Sequence, residues 1–214
     1  MYLRNPGRRE FCMARIVKKP FERRSDIVEA ASQLFQTKEY EKVTLQDVMD
    51  RLEIAKGTIY HYFKSKEELL EAVVENIVNQ HLEKMQIAMQ EAKGNALQQI
   101  QALVDAGSKI GAQSLLEQLH ERGNEAMHTR LLAAALMKQA PLYAKLIQQG
   151  CEEGIFQTDT PLECAEFILS AVQFLTDLGI CPWTQQDLIR RTQAFPKLIE
   201  QLLQAPPNSF QFLL

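Results

Sequence analysis

The sequence predicts an all-α protein of about nine helices. Apolar residues recur three and four positions apart along most of the 214-residue chain, whereas the alternating pattern of a half-buried strand is nearly absent. Only 9 glycines and 8 prolines are present, which favours long, uninterrupted helices. The apolar fraction of 46% and the charged fraction of 24% are typical of a globular protein and exclude collagen-like or low-complexity chains.

Three short helices are predicted in the first third of the chain. The first, over about 22–37, carries an apolar stripe at helical spacing. The second begins at Thr44, which forms a capping box with Asp47. The third spans about 56–62 and follows a tight turn. Three short helices in this arrangement are typical of a helix-turn-helix unit.

The third short helix combines basic, hydroxyl and aromatic side chains. Ile59 and Phe63 lie four residues apart and are predicted to face the core. Their neighbours then face outward, where lysines can pair with phosphates and hydroxyl or imidazole groups can reach phosphates and base edges. The alternative is that the run from Tyr60 to Phe63 packs in a core.

Longer helices follow. Ser65 and Glu68 form a second capping box, which opens a helix that ends near Gly94. Pro141 is placed in the first turn of a later helix. The remaining helices are predicted over 96–119, 124–139, 141–153, from Thr160 to about Leu178, and from Thr184 to about Ala205.

Charge divides the chain into unlike parts. Residues 1–66 contain 14 basic and 9 acidic side chains, whereas 67–214 contain 10 basic and 18 acidic ones. This division indicates a module that binds a polyanion, joined to an acidic body. We expect a basic arm at 1–20, a helix-turn-helix DNA-binding unit at 21–66 and an acidic helical body at 67–214. The alternative for the arm is a solvated, disordered tail. Met13 is a second plausible start, so no function is assigned to residues 1–12.

Several function classes find no support in the sequence. The longest apolar run is too short for a membrane span, and no secretory signal opens the chain. The four cysteines and the histidines His81, His120 and His128 lack metal-ligand spacing, so we expect no metal and assign these histidines to polar helix faces. No nucleophile elbow, P-loop or dinucleotide fingerprint is present. We therefore expect a cytoplasmic protein that is not an enzyme and needs neither cofactor nor membrane.

The stretch TLQDVMDRLEIAKGTIYHYFKSKEEL, which begins at Thr44, resembles the helix-turn-helix of the TetR family of bacterial transcriptional regulators. A weaker resemblance covers APLYAKLIQQGCEEGIF at 140–156. The resemblance implies double-stranded DNA as a partner. The residues that fall on the family's DNA-contacting positions, with Gln46 as a further candidate on the second helix, are Thr44, Gln46, Lys56, Gly57, Thr58, Tyr60, His61, Tyr62 and Lys66.

Two positions depart from the family pattern. Glu53 stands at the turn, where glycine is common, and it requires a positive φ if the turn is unchanged, at a cost of about 1 kcal/mol. Ala55 replaces the usual Ser or Thr cap of the third helix and loses a capping hydrogen bond worth about 1 kcal/mol. Both changes are expected to weaken or redirect DNA binding without abolishing it.

The resemblance further implies a homodimeric repressor that a small hydrophobic ligand releases from a palindromic operator by shifting the long helix after Lys66. The last two long helices would form the dimer interface. The candidate interface residues, each of which could instead belong to the monomer core, are Phe167, Ala171, Phe174, Ile189 and Leu198. The ligand pocket is not located by the sequence. Methionines are adaptable pocket residues, although for most of Met85, Met89, Met127 and Met137 we favour a place in the core. The alternative function is a helical protein-interaction module whose DNA-binding unit is degenerate and non-specific.

Overall fold

The protein is described by a computed structural model over residues 20–109, 124–179 and 181–214, and every regular element in these ranges is helical. The predicted all-α class is confirmed. The eight α-helices of the described residues are α1 (Pro20–Phe35), α2 (Leu45–Leu52), α3 (Lys56–Tyr62), α4 (Lys66–Glu91), α5 (Ala96–Lys109), α6 (Glu125–Glu152), α7 (Pro161–Thr176) and α8 (Gln185–Leu203). Short 3-10 turns lie at Tyr40–Lys42 and Gln211–Leu213.

Some sequence predictions fall outside the described ranges. These are the basic arm up to residue 19, Cys12, His120 and the predicted end of the helix at 96–119. Where α5 is described, it begins at the predicted residue. The helix after Ser65 ends at Glu91, and Gly94 lies beyond its end with a φ of 116°. Positive φ is the reason that glycine suits this position.

The first core joins α1, α2, α3 and the first half of α4. Its fully buried side chains include Ile27, Val48, Ile59 and Phe63, the last two as predicted. Met127 from the start of α6 also packs into this core, at 1% exposure. The predicted DNA-binding unit therefore does not fold from residues 21–66 alone, because α4 and α6 complete its hydrophobic interior.

The prediction of two helices separated at residue 140 is wrong, because a single helix, α6, spans both. It runs without interruption from Glu125 to Glu152, with Pro141 in its interior. A proline cannot donate a hydrogen bond to the carbonyl four residues earlier, here that of Met137. Met137 is 77% exposed and Pro141 is also exposed, so water can satisfy that carbonyl and the helix continues.

The second core lies between the second half of α4, α5, α6, α7, α8 and the chain after α8. Met85 is buried there, and Met89 packs against its edge, as the core interpretation of the methionines predicts. Met137 is an exception, since it is exposed. No helix in the described part of the chain combines the length and apolar character that a membrane crossing requires.

The prediction that His128 lies on a polar helix face is wrong. Its side chain is only 3% exposed, and its Nε2 lies 2.9 Å from Oδ2 of Asp177, just beyond the end of α7. One turn earlier, Asn124 is also buried, and its Oδ1 accepts a 2.6 Å hydrogen bond from the backbone N–H of Tyr40. The start of α6 is thus bonded both to α7 and to the DNA-binding unit.

Four of the five predicted interface side chains are exposed in the single chain. Phe167 and Phe174 on α7 are 67% and 52% exposed, and Ile189 and Leu198 on α8 are 49% and 55% exposed. These four side chains therefore lie outside the monomer core, which was the alternative to an interface. Ala171 is half-buried between the two exposed phenylalanines of α7.

Candidate nucleic-acid interface

Helix α2 is held by a complete capping box. Thr44 Oγ1 accepts a 3.2 Å hydrogen bond from the Asp47 backbone N–H, and Asp47 Oδ2 accepts a 2.8 Å bond from the Thr44 N–H. The Thr44 hydroxyl also donates to Asp47 Oδ2 at 2.5 Å. Both donors of Thr44 are therefore used by Asp47. In this arrangement, Thr44 positions α2 and offers no free donor to a phosphate.

Asp47 is more than a cap. Its Oδ1 also accepts a 2.9 Å hydrogen bond from Lys38 Nζ, on the segment between α1 and α2. Hydrogen bonds from the side chain of Thr44 and then from Lys38 hold the pKa of the Asp47 carboxyl well below its usual range. The charged carboxylate thus persists across neutral and mildly acidic pH, and the orientation of α2 persists with it.

The turn between α2 and α3 has the strained geometry predicted for Glu53. Its φ is 51° and its ψ is 45°, the left-handed conformation. The N–H of Ile54 donates to the Met49 carbonyl at 3.1 Å, which closes the end of α2, and Ile54 packs against the first core. Ala55, the N-cap of α3, makes no side-chain capping bond, as predicted. The turn therefore forms with neither of the residues that the family pattern prefers.

Helix α3 places its residues on two faces. Ile59 is fully buried, whereas Lys56, Tyr60 and His61 are exposed. The Lys56 Nζ lies 5.6 Å from the centroid of the Tyr60 ring. Tyr62 is only half-exposed, packs against the first core and meets the His61 ring edge-on with centroids 4.9 Å apart.

Gly57 lies on the exposed face of α3. A Cβ added there would meet no atom of the protein within 4 Å. The fold itself therefore does not require glycine at this position. A side chain there would project into open space. Thr58, the next residue, is half-exposed.

Lys66 is bound within the fold. Its Nζ lies 4.1 Å from the centroid of the Tyr40 ring and donates a 3.1 Å hydrogen bond to the Glu41 carbonyl. Burial, which removes water from the ammonium group, lowers the pKa of Lys66. Two of its three protons remain for other acceptors. Lys66 thus joins α4 to the segment before α2, whatever it contributes to DNA binding.

An open groove of about 530 Å³ brings five of the nine predicted DNA-binding residues together. The groove runs between α2, α3 and the start of α4. Lys64 also lines it, is exposed, and was missed by the sequence prediction although it lies inside the family motif. The groove has three lysines and one acidic residue, Glu41. Its predicted residues are Thr44, Gln46, Lys56, Tyr60 and Lys66, whereas Gly57, Thr58, His61 and Tyr62 lie outside its lining.

Gln46 contributes an amide group to this groove. It is exposed, and its Nε2 donates a 2.6 Å hydrogen bond to Oδ1 of Asp50, one turn along α2. Neither residue is buried, so the amide can exchange Asp50 for another acceptor at low cost. The groove therefore presents positive charge, an amide and an aromatic surface, the groups that contact phosphates and bases in protein–DNA interfaces.

Two family models match the chain. That of the bacterial regulatory proteins of the tetR family matches residues 27–73, which span α1 to the first part of α4. That of the tetracyclin repressor-like C-terminal domain matches residues 109–198. The first match contains the groove, and the second contains most of α6, α7 and α8.

Individual proteins resemble the chain over most of its length. The HTH-type transcriptional regulator YfiR of Bacillus subtilis is 27% identical over 154 residues, which cover 69% of this chain and 75% of that protein. The HTH-type transcriptional repressor KstR2 of Mycobacterium tuberculosis is 22% identical over 168 residues, 71% of this chain and 78% of that one. A solved structure from Pectobacterium atrosepticum, described as a TetR-family transcriptional regulator, has the same fold with a TM-score of 0.67. It is 19% identical and covers 87% of this chain and 97% of that chain.

Proposed function

The chain belongs to the TetR family of bacterial regulatory proteins, and from that premise we propose that it is a dimeric repressor released from a palindromic operator by a small hydrophobic ligand. As a TetR-family protein it is a transcriptional regulator and not an enzyme. The observation that carries the proposal is the groove, where Lys56, Lys64 and Lys66 meet the amide of Gln46 and the ring of Tyr60. We place the protein in the bacterial cytoplasm, with its DNA target.

Dimerisation is supported by exposed apolar side chains of α7, of α8 and of the segment just after α7. They are between 37% and 67% exposed in the single chain. An apolar surface of this extent on a soluble protein is typical of an interface. A two-fold dimer would cover the same face on both copies and present two α3 helices to successive half-sites of the operator. These exposed side chains are Leu162, Phe167, Phe174, Leu178, Ile189, Leu198 and Leu202.

A hydrophobic ligand is supported by a cavity of about 320 Å³ in the second core. Its lining comes from α5, α6, α7, α8 and the chain after α8, and none of the four methionines named above belongs to it. Neither does any residue of α4. A ligand in this cavity would therefore reach the DNA-binding unit through another helix, in place of the direct shift of α4 that the sequence suggests.

Helix α6 supplies that connection. Tyr143 and Ile147 of α6 line the cavity, whereas Asn124 and Met127 at its start contact the DNA-binding unit. Because α6 is one helix of 28 residues, or about 42 Å, a displacement at the cavity is transmitted along it. His128 adds a bond to Asp177, so that α7 moves with α6. The coupling requires only about 1–3 kcal/mol of differential affinity between the two states.

The proposal is tested by selecting bound fragments from genomic DNA at ~50 and ~200 mM salt. A specific repressor enriches one palindromic site, and its affinity falls by about 10³-fold or more over this range if about six phosphates are contacted. Salt-sensitive binding without a preferred sequence would favour the alternative, a protein-interaction module with a non-specific DNA-binding unit. The left-handed Glu53 and the uncapped Ala55 are the observations behind that alternative.

We expect Lys56→Ala to weaken binding to operator and non-operator DNA alike, because an exposed lysine in the groove contacts phosphate. Since each subunit of the variant then binds one phosphate fewer, the slope of log affinity against log salt should become shallower by about 2. The slope is measured by fluorescence anisotropy between ~50 and ~200 mM salt. The control is Lys84→Ala, an exposed lysine of α4 outside the groove, which should leave the slope unchanged. Equal slopes for the two variants would show that Lys56 does not contact a DNA phosphate.

A further inference from the structure

The cavity in the second core is apolar with one exception. Eleven of its twelve lining residues are isoleucine, leucine, valine, alanine or phenylalanine, and the twelfth is Tyr143. No Asp, Glu, Lys, Arg or His belongs to the lining formed by the described residues. A molecule bound here would therefore contact hydrocarbon side chains and a single phenol among the described residues.

Tyr143 supplies the one polar side chain among the described lining residues. Its phenol hydroxyl can donate a hydrogen bond to an acceptor in the cavity.

Burial raises the pKa of Tyr143 to about 12. The phenol therefore remains protonated at neutral pH and can donate a hydrogen bond. An oxygen acceptor on the ligand, such as a carbonyl, hydroxyl or ether, is the matching group.

From these observations we infer that the cavity binds an uncharged, mainly hydrocarbon molecule whose one oxygen acceptor receives a hydrogen bond from Tyr143. The inference rests on the proposed ligand-responsive function and names the class of ligand. A carboxylate or ammonium group in this cavity would be a charge in an apolar site with no counter-ion among the described lining residues, which is strongly unfavourable. The volume of about 320 Å³ is at the small end of ligand pockets, so the ligand is small.

The walls also explain why ligand binding is expected to act on α6. Ile100 and Val104 come from α5, Ile168 and Val172 from α7, and Tyr143 from α6. A hydrogen bond to Tyr143 therefore attaches the ligand directly to the helix whose first turn holds the DNA-binding unit through Asn124. Apolar contacts with α5 and α7 supply affinity, and the phenol supplies orientation.

The inference is tested on the full-length protein with four eight-carbon probes, 2-octanone, 1-octanol, octanoate and octylammonium, by isothermal titration calorimetry at neutral pH. We expect the ketone and the alcohol to bind at least tenfold more tightly than either ion. In the Tyr143→Phe variant, which removes only the hydroxyl, the affinity for 2-octanone should fall three- to tenfold. The weak binding of octanoate should not change.

Several results would overturn the inference. Octanoate or octylammonium binding as tightly as the ketone would show that the site accepts charge. An unchanged ketone affinity in Tyr143→Phe would show that the phenol does not contact the ligand. If no probe binds at millimolar concentration, the cavity is not a binding site for this class of molecule. Operator binding is measured separately on the unliganded protein. If it is intact, these failures concern the ligand class alone, whereas its absence would contradict the proposed function.

Discussion

Phe167→Asp is expected to convert the protein from a dimer to a monomer and to lower its operator affinity by at least ~10²-fold. Phe167 is 67% exposed in the single chain, so an aspartate costs the monomer little. In a two-fold dimer, the same substitution places a carboxylate on both sides of one apolar interface, without a partner for either charge. Aromatic residues at the centre of such interfaces contribute more binding energy than their neighbours.

Light scattering after size-exclusion chromatography measures the first effect as a change from two 24.5 kDa chains to one. Fluorescence anisotropy with operator DNA measures the second. The matched control is Met137→Asp, since Met137 is 77% exposed but lies on α6. The control should remain dimeric. If Phe167→Asp also remains dimeric, or if both variants dissociate equally, the face of α7 and α8 is not the interface.

The features that the sequence predicted correctly are determined by neighbours in the chain. The capping box of Thr44 and Asp47 needs only residues three positions apart, and the positive φ of Glu53 was expected from the glycine that is common at this turn in the TetR family. Ile59 and Phe63 are buried because the helical spacing leaves them on the side opposite to Tyr60 and the other exposed residues. Such features depend little on how the distant parts of the chain pack.

The predictions that failed depend on contacts between distant segments. Pro141 was expected to begin a helix, but whether a proline breaks a helix depends on whether the freed carbonyl reaches water, which is decided by packing. His128 was assigned to a polar face, yet its partner Asp177 lies 49 residues away. Neither outcome is determined by the local pattern of apolar residues.

The candidate site shows the same division. The motif located the groove and five of its lining residues, because the motif and the helix-turn-helix geometry are one local unit. It could not show that Lys66 is held by the Tyr40 ring and the Glu41 carbonyl, which lie 25 or more residues earlier. A ligand inside the helical body was expected, but the cavity could not be located from the sequence, since its lining extends from Ile100 to Leu213 over five segments.

Gly150→Ala is expected to destabilise the protein by about 1–3 kcal/mol, although alanine is the better helix former by about 1 kcal/mol. Gly150 lies near the end of α6, and a Cβ built there would overlap Cδ2 of the Phe156 ring and lie 2.5 Å from its Cε2. The chain turns back over Gly150, whose carbonyl accepts hydrogen bonds from the N–H groups of Ile155 at 2.8 Å and Phe156 at 3.1 Å. The ring is thereby held on the glycine.

Phe156 cannot move away at low cost. It is 4% exposed and stacks on Phe210 with ring centroids 5.9 Å apart. The next residue, Gln157, donates a 2.8 Å hydrogen bond to the Leu203 carbonyl at the end of α8. Because Phe210 and Leu203 also line the apolar cavity, a displaced Phe156 should weaken ligand binding as well as the fold.

Urea denaturation of Gly150→Ala and Gly57→Ala compares their free energies of unfolding. Both variants gain helix propensity, but only Gly150→Ala is expected to clash with a neighbouring side chain. At Gly57 an added Cβ meets no protein atom within 4 Å, so alanine should raise the free energy of unfolding by up to ~1 kcal/mol. The same methyl group projects from the exposed face of α3 and should weaken operator binding. If both variants are stabilised, Phe156 does not restrict Gly150. If Gly57→Ala binds operator as tightly as the unmodified protein, DNA does not approach α3 at that residue.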